Sequence, residues 1–270
     1  ENMEYMFDSC FSLTSIIIYN FDTSKVTNMK HMFNNCKNLY IINLDFNTSN
    51  VVNMNSMFCN CSNLNYLYIN SKFDTSSVTD MGEMFYNCYS IRSLNLGYFY
   101  TPKLLNISKM FYQCFDLYSL NLQSFDTSNI EDMSYLFYYC MSLHYLDLSS
   151  FNTSKVKTMN SMFLNCFQLN YLKLYFETPL VTNMSSMFKN CYNLISLNLS
   201  SFETKSLSNI TEMFYDCFSL KYLNIDNFIT EKIESTKNLF YCCHSLVSIN
   251  LNNFETTKVN NMEKMFYKHF

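Results

Sequence analysis

A solenoid of stacked strand-and-helix coils is the fold this sequence predicts, and three observations predict it. Ten cysteines (Cys10, Cys36, Cys61, Cys88, Cys114, Cys140, Cys166, Cys191, Cys217 and Cys243) recur at steps of 25 to 27 residues. Each closes the phrase Met/Leu-Phe-x-x-Cys, as in Met162 to Cys166. Each opens an apolar comb, x-x-Leu-x-x-Leu-x-Leu, with Ile replacing Leu in places. Self-similarity at a fixed period marks a repeat architecture, in which each unit contacts only its neighbours.

Two periods alternate inside the unit. In Leu39-x-x-Ile42-x-Leu44 the last two apolar residues alternate with polar ones, which is strand spacing. Met29, Met32, Phe33 and Cys36 stand at offsets that share one face of a helix. The unit therefore reads as a short strand followed by a short helix or 3₁₀ turn. The residue before the first Met of this segment, or before the Ile107, Ile210 or Thr236 that replaces it, is Asn2, Asn28, Asn53, Asp80, Asn106, Asp132, Thr158, Asn183, Asn209, Ser235 or Asn261. All are N-cap types, whose side-chain oxygen can accept a bond from a free helical N–H. Phe-x-Thr recurs between strand and cap, from Phe21/Thr23 to Phe254/Thr256. Its Phe is expected inward as a stacked ladder, and its Thr is expected to tie down the turn. Length changes fall between the strand and this Phe: a single residue at Asp45 and at Tyr175, three at Asn70-Ser71-Lys72. An exposed edge loop belongs there.

Half of the residues are apolar, so core is ample, and the net charge is only −4. No basic stripe is present to hold a phosphate backbone, which argues against nucleic acid. No apolar run approaches the 18 residues of a membrane span, and no leader peptide is legible at Glu1. With two Gly and two Pro in the whole chain, turns must rely on Asn, Asp and Ser.

The comb marks leucine-rich repeats, and Met-Phe-x-x-Cys-x-x-Leu-x-x-Leu-x-Leu (Met162 to Leu174) resembles the BspA-like subclass, with Met where that subclass has Ala. The stretch Phe21 to Met29 is similar to a variant common in surface proteins of parasitic protists and of wall-less or anaerobic bacteria. The resemblance covers essentially the whole chain. It implies a right-handed α/β solenoid of about ten coils, with one curved parallel sheet backed by short helices or 3₁₀ turns. It also implies a cell-surface or secreted protein used in adhesion or host contact. The chain starts and stops inside helix-patterned segments, so residues 1–270 are expected to be one solenoid cut from a longer array without caps. His269 stands where the next cysteine would fall.

Stacked cysteines in neighbouring coils lie close enough for a disulfide, but their parallel side chains make a bridge awkward. The ladder Cys36, Cys61, Cys88, Cys114, Cys140, Cys166, Cys191, Cys217 and Cys243 is therefore expected as buried free thiols acting as small hydrophobes. Cys59 and Cys242 fall outside it and are the better candidates for reactivity. Met and Cys could suit a soft metal, yet they interleave with Leu and Phe at core spacing. His31, His144, His244 and His269 are scattered, and Cys242-Cys243-His244 lacks the second half of a zinc pattern. No metal, no cofactor and no enzyme is expected.

Residues flanking the comb point onto the sheet face. Their middle column holds Asn43, Asn95, Asn121, Asn198, Asn224 and Asn250, which an amide ladder would explain. Tyr66, Tyr68, Tyr145, Tyr171, Lys173, Tyr175 and Tyr222 are the ligand-contact candidates, since Tyr is amphipathic and enriched at interfaces. The alternative is that these rings only cover the sheet. Sequons stand at Asn47, Asn60, Asn106, Asn152, Asn183, Asn198 and Asn209; three of these are also cap candidates. Three functions remain open: adhesion to a host or neighbouring-cell protein or glycan, an intracellular scaffold with free thiols, or a rod that associates end to end.

Overall fold

The first apolar residue of each Leu-x-Leu and its two neighbours form one short strand per repeat, longer in the first three. In the computed structural model, which describes residues 1–19, 21–70 and 72–268, these are β1 (Ser15–Tyr19), β2 (Ile41–Asp45), β3 (Tyr66–Ile69), β4 (Ser93–Asn95), β5 (Ser119–Asn121), β6 (Tyr145–Asp147), β7 (Tyr171–Lys173), β8 (Ser196–Asn198) and β9 (Tyr222–Asn224). Every pairing is parallel and one repeat apart: Ile42 faces Ile16 on one side and Leu67 on the other. The chain is thus a parallel β-solenoid. Nine strands enclose about eight turns rather than ten coils; the next repeat adds only one bridge, Ser248 to Tyr222. The expected single sheet is divided into four hydrogen-bonded groups, β1-β2-β3, β4-β5, β6-β7 and β8-β9. The first and third divisions follow the three-residue loop at Asn70 and the one-residue loop at Tyr175. Ser71 of that first loop and His269 lie outside the described residues.

The expected helices are absent: the described residues contain neither α nor 3₁₀ helix. The Met-x-x-Met-Phe-x-x-Cys segment is instead a series of β-turns closed at the fourth residue. Met32 N–H donates to the Met29 carbonyl, Asn34 to His31 and Cys36 to Phe33, at 3.0–3.2 Å. The third residue of the first and last turns is left-handed, with φ 55° at His31 and 59° at Asn35, and the same two positions repeat along the chain. Positive φ at that position is what a type II turn needs and an α-helix forbids. Alternate N–H groups leave the segment altogether. Met29, His31, Phe33 and Asn35 donate to the carbonyls of Asn53, Asn55, Met57 and Cys59 in the next coil, at 2.9–3.0 Å. Helix formation would take those donors from the neighbour, so stacking overrides the local pattern. The cap residues keep their chemistry in another form: Asn28 Oδ1 accepts from Lys30 N–H at 3.0 Å, an Asx turn that opens the series. Thr158 departs from this, donating its hydroxyl to Asn160. These positions also bridge one another in parallel, as from Asn2 through Asn28 and Asn53 to Asp80.

Between the strands and the turns lies one continuous core. Met29, Met32, Phe33, Cys36 and Leu39 are each 0% exposed, and so are their equivalents through most of the chain. The Phe of Met-Phe stacks coil on coil from Phe7 to Phe266, with ring centroids 5.2–5.8 Å apart. The Phe of Phe-x-Thr stacks in part, with Phe73 on Phe99 at 5.6 Å and Phe99 on Phe125 at 6.0 Å. The buried Thr that follows ties coil to coil rather than its own turn. Its hydroxyl donates to a backbone carbonyl of the next repeat, as from Thr48 to Asp74 at 2.8 Å and from Thr178 to Glu203 at 3.0 Å.

All twelve cysteines are free. Each ladder thiol from Cys36 to Cys243 donates to the carbonyl of the stacked Phe in the preceding coil, at 3.0–3.3 Å. Cysteine therefore serves as a donor as well as a small hydrophobe. Burial pushes the thiols up, Cys36 to about 11 and Cys243 to about 12. Cys59 and Cys242, the candidates for reactivity outside the ladder, are buried as well. They are 7% and 6% exposed, and burial lifts Cys59 to about 12 and raises Cys242 as well. A protonated thiol is a poor nucleophile.

Two outcomes are expected. Phe163→Ala should lower stability by about 3–5 kcal/mol in urea unfolding; an unchanged midpoint would contradict the stacked column. With a maleimide at pH 8 the native protein should label rapidly only at Cys10, which is half-buried, and at every cysteine in denaturant. Fast native labelling of Cys140 or Cys166 would contradict the thiol-to-carbonyl ladder.

Candidate functional site

The outward residues of the strands build the candidate face. Parallel register one repeat apart brings equal positions together, so Tyr145 pairs with Tyr171 and Asp147 with Lys173. The two tyrosine rings stack at 5.2 Å and 7°. Lys173 Nζ lies 3.1 Å from Asp147 Oδ2 and 5.7 Å from the Tyr175 ring centroid. Tyr145, Tyr171, Lys173 and Tyr175 thus form one cluster, and its three rings are 53–64% exposed. Tyr66 and Tyr68 form a second, with centroids 6.3 Å apart and Tyr40 edge-on to Tyr66 at 5.4 Å. Tyr222 stands apart from both, with Lys221 Nζ 5.3 Å from its ring. The seven candidates are therefore three patches on one face rather than a single site.

Among the described residues the Asn column on this face forms an amide rung only at Asn121 Nδ2 to Asn95 Oδ1, 3.1 Å. Asn95, Asn121, Asn198, Asn224 and Asn250 each accept from the backbone N–H two residues on. A longer amide row runs elsewhere. Asn60 donates to Asn35 at 3.0 Å and Asn87 to Asn60 at 2.9 Å, beside the turns. These residues directly precede ladder cysteines and carry the left-handed φ that Asn tolerates. Asn recurring at that position was the signal for it.

Electrostatics on the face is local. Burial opposes the charge of Asp147, but bonds from the Ser149 N–H at 2.9 Å and hydroxyl at 2.6 Å, and from Lys173, outweigh it. They hold the carboxyl below the ordinary aspartate range. The same bond to Asp147 holds the Lys173 ammonium above its usual value. Among the described residues no group of three or more His, Cys, Asp or Glu could hold a metal ion, and no helix is long and apolar enough to cross a membrane. Three sequon asparagines, Asn106, Asn183 and Asn209, spend their Oδ1 on Asx turns.

The family model described as "Mycoplasma protein of unknown function, DUF285" matches residues 1–116, 90–175 and 172–270. No curated protein matches in sequence. Solved structures similar to the chain include a leucine-rich cell surface protein from Faecalibacterium prausnitzii, at 17% identity and TM-score 0.45, covering 95% of this chain and 74% of that one. A leucine-rich-repeat protein of T. pallidum matches at 16% identity and TM-score 0.37, covering 77% and 78%. One from Bacteroides ovatus matches at 18% identity and TM-score 0.35, covering 92% and 80%.

Asp147 gives a pH prediction. Its folded pKa lies below its unfolded one, so its contribution to stability is complete above the unfolded value. That contribution is lost as pH falls through the folded value. Carbon-detected NMR should find Asp147 titrating below the ordinary aspartate range, and Lys173→Gln should move it upward. No movement would mean that the ion pair does not persist in solution.

Proposed function

This chain belongs to the Mycoplasma protein family of unknown function DUF285, with repeats of the BspA-like leucine-rich type, and from that premise we propose that it is a non-enzymatic protein-binding module. The face carrying Tyr145, Tyr171, Lys173 and Tyr175 is the contact surface. The observation that carries the proposal is the clustering of three rings, each more than half exposed, on a rigid parallel ladder. Such rings offer large contact area with little conformational entropy to lose. In its finer form the proposal places the array at the cell surface, adhering to a protein or glycan of a host or neighbouring cell. The non-enzymatic reading is supported by the state of the chemically capable groups: the ladder thiols are buried, protonated and bonded to carbonyls. One observation favours a second reading. Twelve free thiols are natural in a reducing compartment, where the same face would serve an intracellular scaffold.

Protease shaving of intact source cells separates the two. Release of peptides from this chain while cytosolic markers stay inside supports surface display; peptides found only after lysis support the scaffold. For the contact surface, Tyr171→Ser with Tyr175→Ser should leave stability within about 1 kcal/mol and weaken partner binding about tenfold or more. Full binding by the double variant would remove the site from this patch.

A further inference from the structure

Beside the turns runs a column of rings at the position after most of the ladder cysteines. Tyr89 stacks on Phe115 at 4.7 Å, Phe167 on Tyr192 at 4.9 Å, Tyr192 on Phe218 at 5.0 Å and Phe218 on His244 at 5.5 Å. Three residues interrupt it, Lys37, Ser62 and Met141. At Met141 the gap is covered, because Tyr139 packs edge-on against both Phe115 and Phe167, at 6.2 Å each. At Ser62 nothing aromatic replaces the missing ring among the described contacts of Tyr89. Tyr89 stacks on one side only, and on the other the chain leaves a notch of about 370 Å³ lined by Asn35, Lys37, Asn60, Ser62, Asn87 and Tyr89.

The notch has the form of a missing layer. Lys37 and Tyr89 hold equivalent positions two coils apart, a separation of about 10 Å at parallel-strand spacing. One ring fits between them. Its volume falls at the small end of the range for small-molecule sites. One wall is the amide row Asn35–Asn60–Asn87, in which Asn60 donates to Asn35 and Asn87 to Asn60. Lys37 is the one charged residue lining it. Its Nζ lies 5.9 Å from the Phe11 ring and forms no ion pair among the described residues.

We propose that this notch binds a pyranose ring bearing a carboxylate. The ring lies in the vacant layer with its C–H face on Tyr89, where the negative ring face meets positive C–H edges. Its hydroxyls exchange bonds with the amides, each of which offers donors and an acceptor, and with Ser62. The carboxylate takes the Lys37 ammonium, a charge-assisted bond that a neutral sugar cannot form. A flat aromatic ligand would stack equally well but would leave the Lys37 ammonium without a counter-charge. This site lies outside the nine strands, so it stands or falls independently of the sheet face.

The test uses glucuronate as probe, with glucose and acetate as controls, read by saturation-transfer NMR and calorimetry. Wild type should bind glucuronate at least about fivefold more tightly than either control. Ser62→Tyr, which fills the vacant layer beside Tyr89, should keep or raise the melting temperature and lose glucuronate binding. Lys37→Gln, an exposed change, should bring glucuronate down to the level of glucose. The proposal is overturned if wild type shows no glucuronate binding up to about 10 mM, or if acetate binds as well as glucuronate. It is equally overturned if folded Ser62→Tyr or Lys37→Gln binds as wild type does.

Discussion

Everything in this molecule depends on a backbone register of one repeat between neighbouring coils. It is enforced twice. On one side the strands pair in parallel, Ile42 against Ile16 and Leu67. On the other, alternate N–H groups of the turns reach carbonyls of the next coil, as Phe33 reaches Met57. A coil cannot slide or rotate without breaking both ladders. Equal positions therefore meet their own copies: Phe meets Phe, Asn meets Asn, and each thiol meets the same carbonyl. Stability is then a sum of neighbour terms rather than a property of one centre. Small polar groups matter in such a sum because they repeat. A Thr hydroxyl bond of ordinary strength, worth about 1 kcal/mol net, recurs in coil after coil.

The same register explains why the helices expected from the spacing do not form. Apolar residues at offsets of three, four and seven satisfy a helix, but they equally satisfy consecutive turns that close at the fourth residue. Periodicity alone does not separate the two. What separates them is the destination of the backbone donors. In a helix they stay within the segment; here half of them belong to the next coil. The left-handed residues are the trace of this choice in the sequence. Asn35, Asn60, Asn87, Asn165 and Asn190 all precede a ladder cysteine and all have positive φ. Non-glycine residues usually avoid that region. In a chain with only two glycines, Asn takes six of the 22 positive-φ positions among the described residues, and Ser, Tyr, Glu, Lys and others take the rest.

The repeat, the comb, the buried cysteine ladder and the outward tyrosines were legible because each follows from position within a period. The grouping of those tyrosines was not, since it depends on which strands carry rings in register. Tyr145 and Tyr171 fall on adjacent strands and stack; Tyr222 pairs with Ser196 and has no ring beside it. The Asn column failed as a ladder for a related reason. Each amide oxygen can serve its own turn two residues on, and Asn198, Asn224 and Asn250 do so. The local bond does not forbid the rung, since Asn95 and Asn121 make both; the rung also needs Asn on adjacent strands in register.

A solenoid of this kind satisfies its side chains with copies of themselves, and that has a consequence for where chemistry can reside. A ring stacked on both faces has none to offer a ligand, and a paired amide has few bonds left. Capacity to bind is therefore concentrated where the repeat is broken. Tyr175 is exposed at a shortened loop, Lys173 and Asp147 interrupt a column of amides, and Ser62 leaves one face of Tyr89 uncovered. None of these departures disturbs the core, because Phe, Met and Cys keep their phase through all of them. The fold thus tolerates irregularity only on its outside, and the irregular positions, rather than the consensus, distinguish one such array from another.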